Sequence, residues 1–342
     1  MASYLLKIQA QNIRSTTFSS ASSQTKSFLL SFPPPKHQLH NLNLKYGDHV
    51  SFFSSPLSQK HRICSLPVLC SLSSPTPPSS KDEAILQAKT SLSKTLEKPL
   101  NNPKIAGKFK KLKQPRYLVE IPVMDDSPSS LSQLAVEVFQ DLPIKRKGSP
   151  VKILLVWSSL PLKEAATEAF GPHSTNNNIE NVSISAVDNR TMNSADVAVF
   201  LAPEASQLAV TKTVTDSLYP KPVVIFNPRW DFEEENELGG LSGFVRSFEV
   251  IYSFMGLEVK GVFSKRKGVI FKCVEDGVVS GEKWAVLVEE EGGDMRVVSR
   301  FAARPSIGEV ENVLYNVMAV NSPITKSAKF LRDLVSNVTG KK

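Results

Sequence analysis

Two hydrophobic patterns alternate along residues 116–231. Short, nearly continuous apolar runs are typical of strands buried on both faces, whereas apolar residues recurring every three to four positions indicate helices. The predicted strands are 117–123, 151–157, 182–187, 196–201 and 223–226. The clearest helix pattern begins at Ser127 as the N-cap, with Pro128 at the first helical position. Strands that alternate with helices predict right-handed crossovers and a parallel sheet covered on both faces.

After residue 231 the pattern changes, because short apolar runs follow one another without helices between them. They lie at 248–254, 269–274, 284–288 and 296–301, with a basic turn at 265–268 and a Gly292-Gly293 hairpin turn. This pattern predicts antiparallel strands that extend the sheet at one edge or form a small β-layer beside it. Two helices, over 306–320 and 325–338, end the pattern. The predicted fold class is α/β: a mainly parallel, Rossmann-like three-layer sheet with an antiparallel C-terminal extension.

The first 70 residues lack any such periodicity and hold most of the net charge. The whole chain carries +8, yet this segment has seven basic residues and one acid. Its Ser-rich, acid-poor composition is typical of an organelle transit peptide and predicts a chloroplast protein; an ordinary disordered tail is the alternative. A Pro/Ser linker follows at 71–79, then a single domain over 80–338 and a tail over 339–342. The domain opens with a capping box, Ser80 to Glu83, on a helix that Pro99 ends.

The remaining chain excludes several classes of protein. Its 34 basic and 32 acidic residues nearly cancel, so no nucleic-acid partner is predicted. No apolar run approaches the roughly 20 residues of a membrane span. Beyond the leader only Cys273 and His173 remain, too few for a disulfide or a structural zinc site. Cys273 lies in an apolar strand, as a small buried hydrophobe does.

A basic segment at 103–115 has no acid within it. Its charge predicts contact with an anionic surface such as the thylakoid membrane or an acidic partner; a solvated loop is the simpler interpretation. Its lysines are Lys104, Lys108, Lys110, Lys111 and Lys113.

The best candidate site lies beyond the carboxyl ends of the parallel strands, where α/β sheets bind ligands. Arg229 could grip a carboxylate or phosphate there, or pair structurally with Asp231 or the Glu233 cluster. The candidate ligand or partner residues are Asp188, Asn227, Arg229, Trp230 and Arg304.

Known catalytic patterns are missing from the chain. It has no phosphate-binding G-x-x-x-x-G-K-[ST], no glycine-rich dinucleotide fingerprint and no G-x-S-x-G elbow. The acid pairs at 125–126 and 233–235 are interpreted as solvated turns. The sequence therefore predicts no catalytic residue, no metal and no cofactor.

Several short segments resemble a plastid and cyanobacterial family built on domain of unknown function 1995. They are Glu83–Ala88, Arg116–Pro122, Phe226–Arg229, Trp284 and Arg304–Ser306. The family includes one of the Low Photosystem II Accumulation proteins, an assembly helper of photosystem II, and a domain fused behind a chloroplast adenylate kinase. The resemblance implies a protein of the stroma or thylakoid surface, and it brings no established active site.

Three functional hypotheses follow. The first is a non-enzymatic chloroplast accessory protein that aids the assembly or maintenance of a photosynthetic complex such as photosystem II. The second is a small-ligand or nucleotide-responsive regulatory module that uses the carboxyl rim. The third, an enzyme built only from Asp, Glu, Lys and Arg, has no residue that nominates a reaction.

Overall fold

The computed structural model describes residues 7–10, 75–101, 113–123, 125, 127–171, 178–230, 232–260, 265–290 and 292–320. The predicted helix at 325–338, the loop around His173, Asp126 and Asp231 lie outside these ranges, as do all lysines of the basic segment except Lys113.

Seven α-helices and twelve strands make up the described part of the chain. The helices are α1 (Lys81–Asn101), α2 (Pro128–Phe139), α3 (Leu160–Phe170), α4 (Asn189–Ser194), α5 (Leu208–Ser217), α6 (Ser242–Val245) and α7 (Ile307–Val320). The strands are β1 (Lys7–Ala10), β2 (Arg116–Glu120), β3 (Lys145–Arg146), β4 (Ser149–Pro150), β5 (Ile153–Trp157), β6 (Ile179–Ser183), β7 (Val197–Leu201), β8 (Val223–Phe226), β9 (Glu249–Lys260), β10 (Lys265–Cys273), β11 (Trp284–Glu289) and β12 (Met295–Phe301).

Ten of these strands form one mixed sheet, with the order β12-β11-β10-β9-β2-β8-β7-β5-β6. Neighbours from β6 to β9 run parallel, and β10 to β12 continue antiparallel. β1 pairs with the far half of β9, beyond the end of β2. The predicted α/β class is confirmed, and the C-terminal strands extend the sheet at one edge. β9 was predicted to be antiparallel, but it pairs parallel with β2 and antiparallel with β10, so it joins the two parts.

The chain reverses direction across the sheet at β6, and this reversal places helices on both faces. Right-handed crossovers toward β6 put α2 and α3 on one face, where α1 joins them. The return from β6 puts α5 and α6 on the second face. On that second face α7 covers the antiparallel strands through Val310 and Leu314. Every residue is buried in β5, β7 and β8, as a strand covered on both faces requires.

Helices α1 and α2 begin at the predicted caps. The Ser127 hydroxyl accepts the Ser130 backbone N–H at 3.2 Å. At α1 the Ser80 hydroxyl accepts the Glu83 backbone N–H at 3.1 Å, as predicted. The Glu83 carboxylate reaches one residue further back than a capping box requires, accepting from Ser79 at 2.7 Å.

Two predictions of where regular structure stops are wrong, one at Pro99 and one at residues 265–268. α1 continues two residues past Pro99. A proline in the last turn removes one backbone hydrogen bond of that turn and leaves the other hydrogen bonds of the helix intact. The basic turn predicted at 265–268 is not a turn. Its residues are the first of β10, and they pair with β9 from Lys265 onward. Cross-strand pairing with a long neighbour extends the strand beyond its apolar stretch.

Two strands have shifted boundaries. β2 was predicted over 117–123, and it ends at Glu120 because the neighbouring strand β8 ends as well. The strand predicted at 182–187 lies at Ile179–Ser183, and a 3-10 turn over Ile184–Ala186 follows it. β6 is an edge strand in which only Val182 and Ser183 are buried, so the apolar pattern marks it weakly.

Candidate functional site

A topological switch point of the carboxyl edge lies between β5 and β7, whose connections leave for opposite faces and in opposite directions along the sheet. The neighbouring ends of β2 and β8 are joined instead by Asn227. Its Oδ1 accepts the Ile121 N–H at 2.7 Å, and its Nδ2 donates to the Ile121 carbonyl at 2.9 Å. Asn227 has φ +47°, a left-handed conformation that asparagine tolerates better than most residues. Its side-chain amide thus gives the Ile121 backbone the two hydrogen bonds that a neighbouring strand would otherwise provide.

Arg229 lies on the same edge and is held by the end of β7. Its backbone N–H donates to the Pro203 carbonyl at 2.8 Å. Its Nη1 lies 3.6 Å from Glu204 Oε1, and the two side chains are 30% and 47% exposed. Glu204 is thus one anion that Arg229 meets, and sequence reasoning had not proposed it.

Asp188 stands apart from the other candidates, beyond the edge strand β6. Its carboxylate accepts the Thr191 N–H at 2.8 Å as the N-cap of α4, and the Thr191 hydroxyl accepts the Asp188 N–H. These hydrogen bonds hold the pKa of Asp188 below its usual value. Two strands, β5 and β7, lie between β6 and β8, so Asp188 does not join the residues at the end of β8.

Trp230 is buried in the second-face core and hydrogen-bonds Glu235 through its indole. The acidic run at 233–235 was interpreted as a solvated turn, and for Glu235 that is wrong, since it is only 8% exposed. The 3-10 turn Glu233–Asn236 turns this side chain inward while Glu234 stays exposed. Burial raises the pKa of Glu235, an effect that Arg304 opposes.

Arg304 reaches the end of β2 from the far part of the chain. Its Nη1 donates to Glu120 Oε1 at 3.0 Å, and its side chain is only 8% exposed. The guanidinium lies 4.7 Å from the ring centroid of Phe232 and 5.3 Å from that of Trp284. Contact with two aromatic rings and a charged hydrogen bond holds the guanidinium in one place.

Arg304 lies against a line of four residues that crosses the sheet, which we name the charged row: Glu120, Ser253, Lys272 and Trp284. Glu120 pairs with Ser253 across β2 and β9, and Ser253 pairs with Lys272 across β9 and β10. The β10–β11 register continues so that Lys272 faces Trp284, whose ring centroid is 5.7 Å from Lys272 Nζ. The Ser253 hydroxyl donates to Glu120 Oε2 at 2.6 Å. The row places two opposite charges on the second face of the sheet.

Sequence reasoning missed Ser253, Lys272 and Glu235 and had used Glu120 only as part of a family motif. A signal existed for two of them: Glu120 and Lys272 are the single charges in the apolar runs 117–123 and 269–274. Ser253 and Glu235 carried no signal, because one depends on strand register and the other on the direction of a short turn.

Metal and membrane chemistry find no support in the described ranges. No group of three or more His, Cys, Asp or Glu side chains there is placed to hold a metal ion. No helix in the described part combines the length and hydrophobicity that crossing a bilayer requires.

The fold and this edge define an α/β protein whose mixed sheet carries a buried charged row beside its parallel strands. One family model, described as Domain of unknown function (DUF1995), matches residues 78–312. The match spans 235 of the 342 residues, so the chain belongs to this family. A search of curated proteins found no match. The finer resemblance, to the photosystem II assembly helper, stays a prediction.

Proposed function

We propose that this protein is a non-enzymatic chloroplast accessory protein that aids the assembly or maintenance of a photosynthetic complex such as photosystem II. Membership of the DUF1995 family and the composition of the first 70 residues support this proposal. The observation that carries it is that Asn227, Asp188 and Arg304, three of the candidate ligand residues, make hydrogen bonds within the protein itself.

In an α/β protein that binds a ligand at the switch point, side chains at the strand ends are free to meet the ligand. Here Asn227 holds the backbone of Ile121, Asp188 caps α4, and Arg304 holds Glu120. These contacts stabilise the corner where β2 and β8 end. These three candidate residues are thus occupied by contacts within the protein, which favours a protein that acts through its outer surface.

The basic segment is the part of that surface we propose for contact with the thylakoid. Lys113, its one described lysine, is 77% exposed and pairs with Glu249 at 3.0 Å. An exposed pair of this kind contributes roughly 0–1 kcal/mol, so an anionic membrane can compete for the lysine. Replacing the four lysines from Lys104 to Lys111 by glutamate should abolish cosedimentation with anionic vesicles and leave the behaviour with neutral vesicles unchanged. Unchanged cosedimentation with anionic vesicles would remove the membrane contact from the proposal.

The assembly role is tested in plants that lack the protein. We expect them to accumulate less photosystem II on native gels, at unchanged transcript levels of its subunits. The full chain should restore accumulation. Normal accumulation of every photosynthetic complex in the mutant would refute the assembly role.

The second candidate function is a regulatory module that binds a small ligand or nucleotide at the rim. The long 3.6 Å contact between Arg229 and Glu204 favours it, since both side chains are partly exposed and the pair is weak. A phosphate could therefore compete with Glu204. Adenine nucleotides and sugar phosphates should raise the melting temperature of the wild type, and Arg229→Ala should lose that rise. A rise that survives in Arg229→Ala, or none at millimolar ligand, would exclude this site.

A further inference from the structure

The far half of β9 extends beyond the parallel part of the sheet. β2 pairs with β9 as far as Ser253, and the next described strand on that side is β1, which reaches Leu257. On the other side β9 pairs with β10 without a break as far as Lys260. β10 therefore holds this half of β9 in place, while its second edge, over residues 254–260, is available to a further strand.

The chain fills part of this edge with its own N-terminal strand. β1 pairs antiparallel with β9, from Lys7 opposite Lys260 to Ala10 opposite Leu257. It has only four residues, and β9 is its one strand partner in the described part of the chain. The position of β1 shows that a strand fits beside β9, and a longer strand would continue along residues 254–256.

β1 lies within residues 1–70, the segment whose composition predicts a transit peptide. Removal of that segment would take β1 away and leave the far half of β9 with an unpaired edge. Such an edge pairs readily with an extended segment of another chain, through the main-chain hydrogen bonds of strand addition. The removal rests on the proposed chloroplast function, whereas the fit of a strand to this edge does not.

The face next to α7 limits which segments fit. Leu257 is buried in one hydrophobic cluster with Val310 and Leu314 of α7, and α7 also lies beside β1. The positions opposite Leu257 and Val259 belong to this face of the sheet, and β1 has Ala10 and Ile8 there. A segment that replaces β1 therefore needs small or apolar residues at these alternate positions.

The sequence of β1 does not match this edge in charge. The register sets Lys7 opposite Lys260, and like charges at directly opposite positions destabilise a strand pair, whereas opposite charges stabilise it. We propose that the edge of β9 over residues 254–260 is a strand-addition site for an extended segment of a partner protein. That segment has an acidic residue opposite Lys260 and small or apolar residues at the alternate positions. β1 occupies the site until the leader is removed.

The test measures peptide binding to the full chain by fluorescence anisotropy. The probe is a labelled synthetic peptide of residues 5–13. The double variant Ile8→Pro, Gln9→Pro frees the edge, because neighbouring residues of a strand direct their N–H groups to opposite sides and one of the two prolines removes a donor to β9. We expect saturable binding by the double variant and binding at least about tenfold weaker by the wild type, whose tethered β1 competes. The control Ser22→Pro, Ser23→Pro, outside β1, should bind as the wild type does.

Two altered probes test the chemistry of the segment. The Lys7→Glu form should bind the double variant about two- to fivefold tighter than the native probe, because it sets opposite charges across the strand pair. The form with both prolines should not bind, because it lacks a donor to β9. A glutamate probe that binds no tighter than the native one would overturn the acidic partner.

Hydrogen exchange locates the probe on the double variant. The probe should slow exchange at residues 254–260 and leave exchange unchanged in the outer strands β6 and β12. Protection of β6 or β12 in place of β9 would overturn the proposal. The same would follow from equal probe binding by the wild type and the double variant, from no saturable binding by the double variant, or from binding of the proline probe.

Stability and oligomeric state separate the partner segment from other roles of this edge. The double variant should melt within about 4 °C of the wild type, because a displaceable strand of four residues contributes little. A much larger loss would make β1 part of the core and overturn the proposal. Light scattering should find the wild type monomeric; a dimer that the double variant dissolves would make a second copy the occupant and overturn the partner. Photosystem II accumulation in plants tests the assembly role separately.

Discussion

Replacing Asn227 tests whether one side-chain amide holds the end of the parallel sheet together. Asn227→Ala removes two hydrogen bonds to Ile121, of 2.7 and 2.9 Å, and leaves a partly buried N–H and carbonyl without partners. Each such group costs about 1–3 kcal/mol, nearer the lower figure where water can reach it. Alanine at φ +47° adds roughly 1 kcal/mol of backbone strain. We therefore expect a loss of about 3–5 kcal/mol, or about 6–20 °C in melting temperature for a domain of this size.

Urea unfolding followed by circular dichroism measures this loss, with an unchanged m-value showing that the unfolding transition is the same. Asn227→Gly loses the same hydrogen bonds but accepts positive φ, so it should be about 1 kcal/mol more stable than the alanine variant. Asn193→Ala, at an exposed position of α4, is the control and should stay within about 0.5 kcal/mol of the wild type. An Asn227→Ala variant as stable as that control would refute the role of the amide.

Three further predictions concern other parts of the fold. Gly277→Ala should cost roughly 2–4 kcal/mol in urea unfolding, because the new Cβ would lie 2.4 Å from the Lys94 carbonyl; Gly281→Ala, also at positive φ but with open space, should cost less, and equal losses would refute the clash. Burial raises the pKa of Glu235, so the stability from its protonated form is lost as the pH rises above 4.5. The melting temperature of Glu235→Gln relative to the wild type should therefore rise from pH 4 to pH 8, and a constant difference would contradict this. Burial raises the pKa of the Cys273 thiol to about 12, so the folded chain should alkylate at Cys273 far more slowly than the chain in urea. Peptide mass spectrometry measures this rate, and the alkylation rate of the chain's other two cysteines serves as the reference.

Local signals predicted the longer helices and the buried strands, but not the short helices α4 and α6. The Ser127 cap, the all-apolar strands and the Gly292-Gly293 turn each depend on residues close together in the chain. The strand order could not be predicted, because it depends on which edges meet in space. β2 lies between β8 and β9, two strands that come more than 100 residues later in the chain. The same limit explains β9, whose apolar pattern does not reveal a parallel neighbour on one side and an antiparallel one on the other.

The candidate site was predicted in outline, without the partners that the structure shows. Carboxyl ends of parallel strands do bring Asn227 and Arg229 to one edge, as the fold class predicts. A partner of Arg229 is Glu204, which precedes it by 25 positions but lies at the end of the next strand. Arg304 meets Glu120 across 184 positions. Contacts of that range follow from register and strand order, which no local pattern encodes.

The segments on which the family resemblance rests converge in space at the end of β2. Glu120 comes from the first strand, Asn227 from the end of β8, and Trp284 and Arg304 from the C-terminal part; each contacts β2 or a residue that does. Packing and hydrogen bonding explain these four residues without any ligand. Lys272 belongs to none of those segments and lies between Ser253 and Trp284 in the charged row. A role in binding is therefore better sought outside the motif residues, whose contacts already account for their presence.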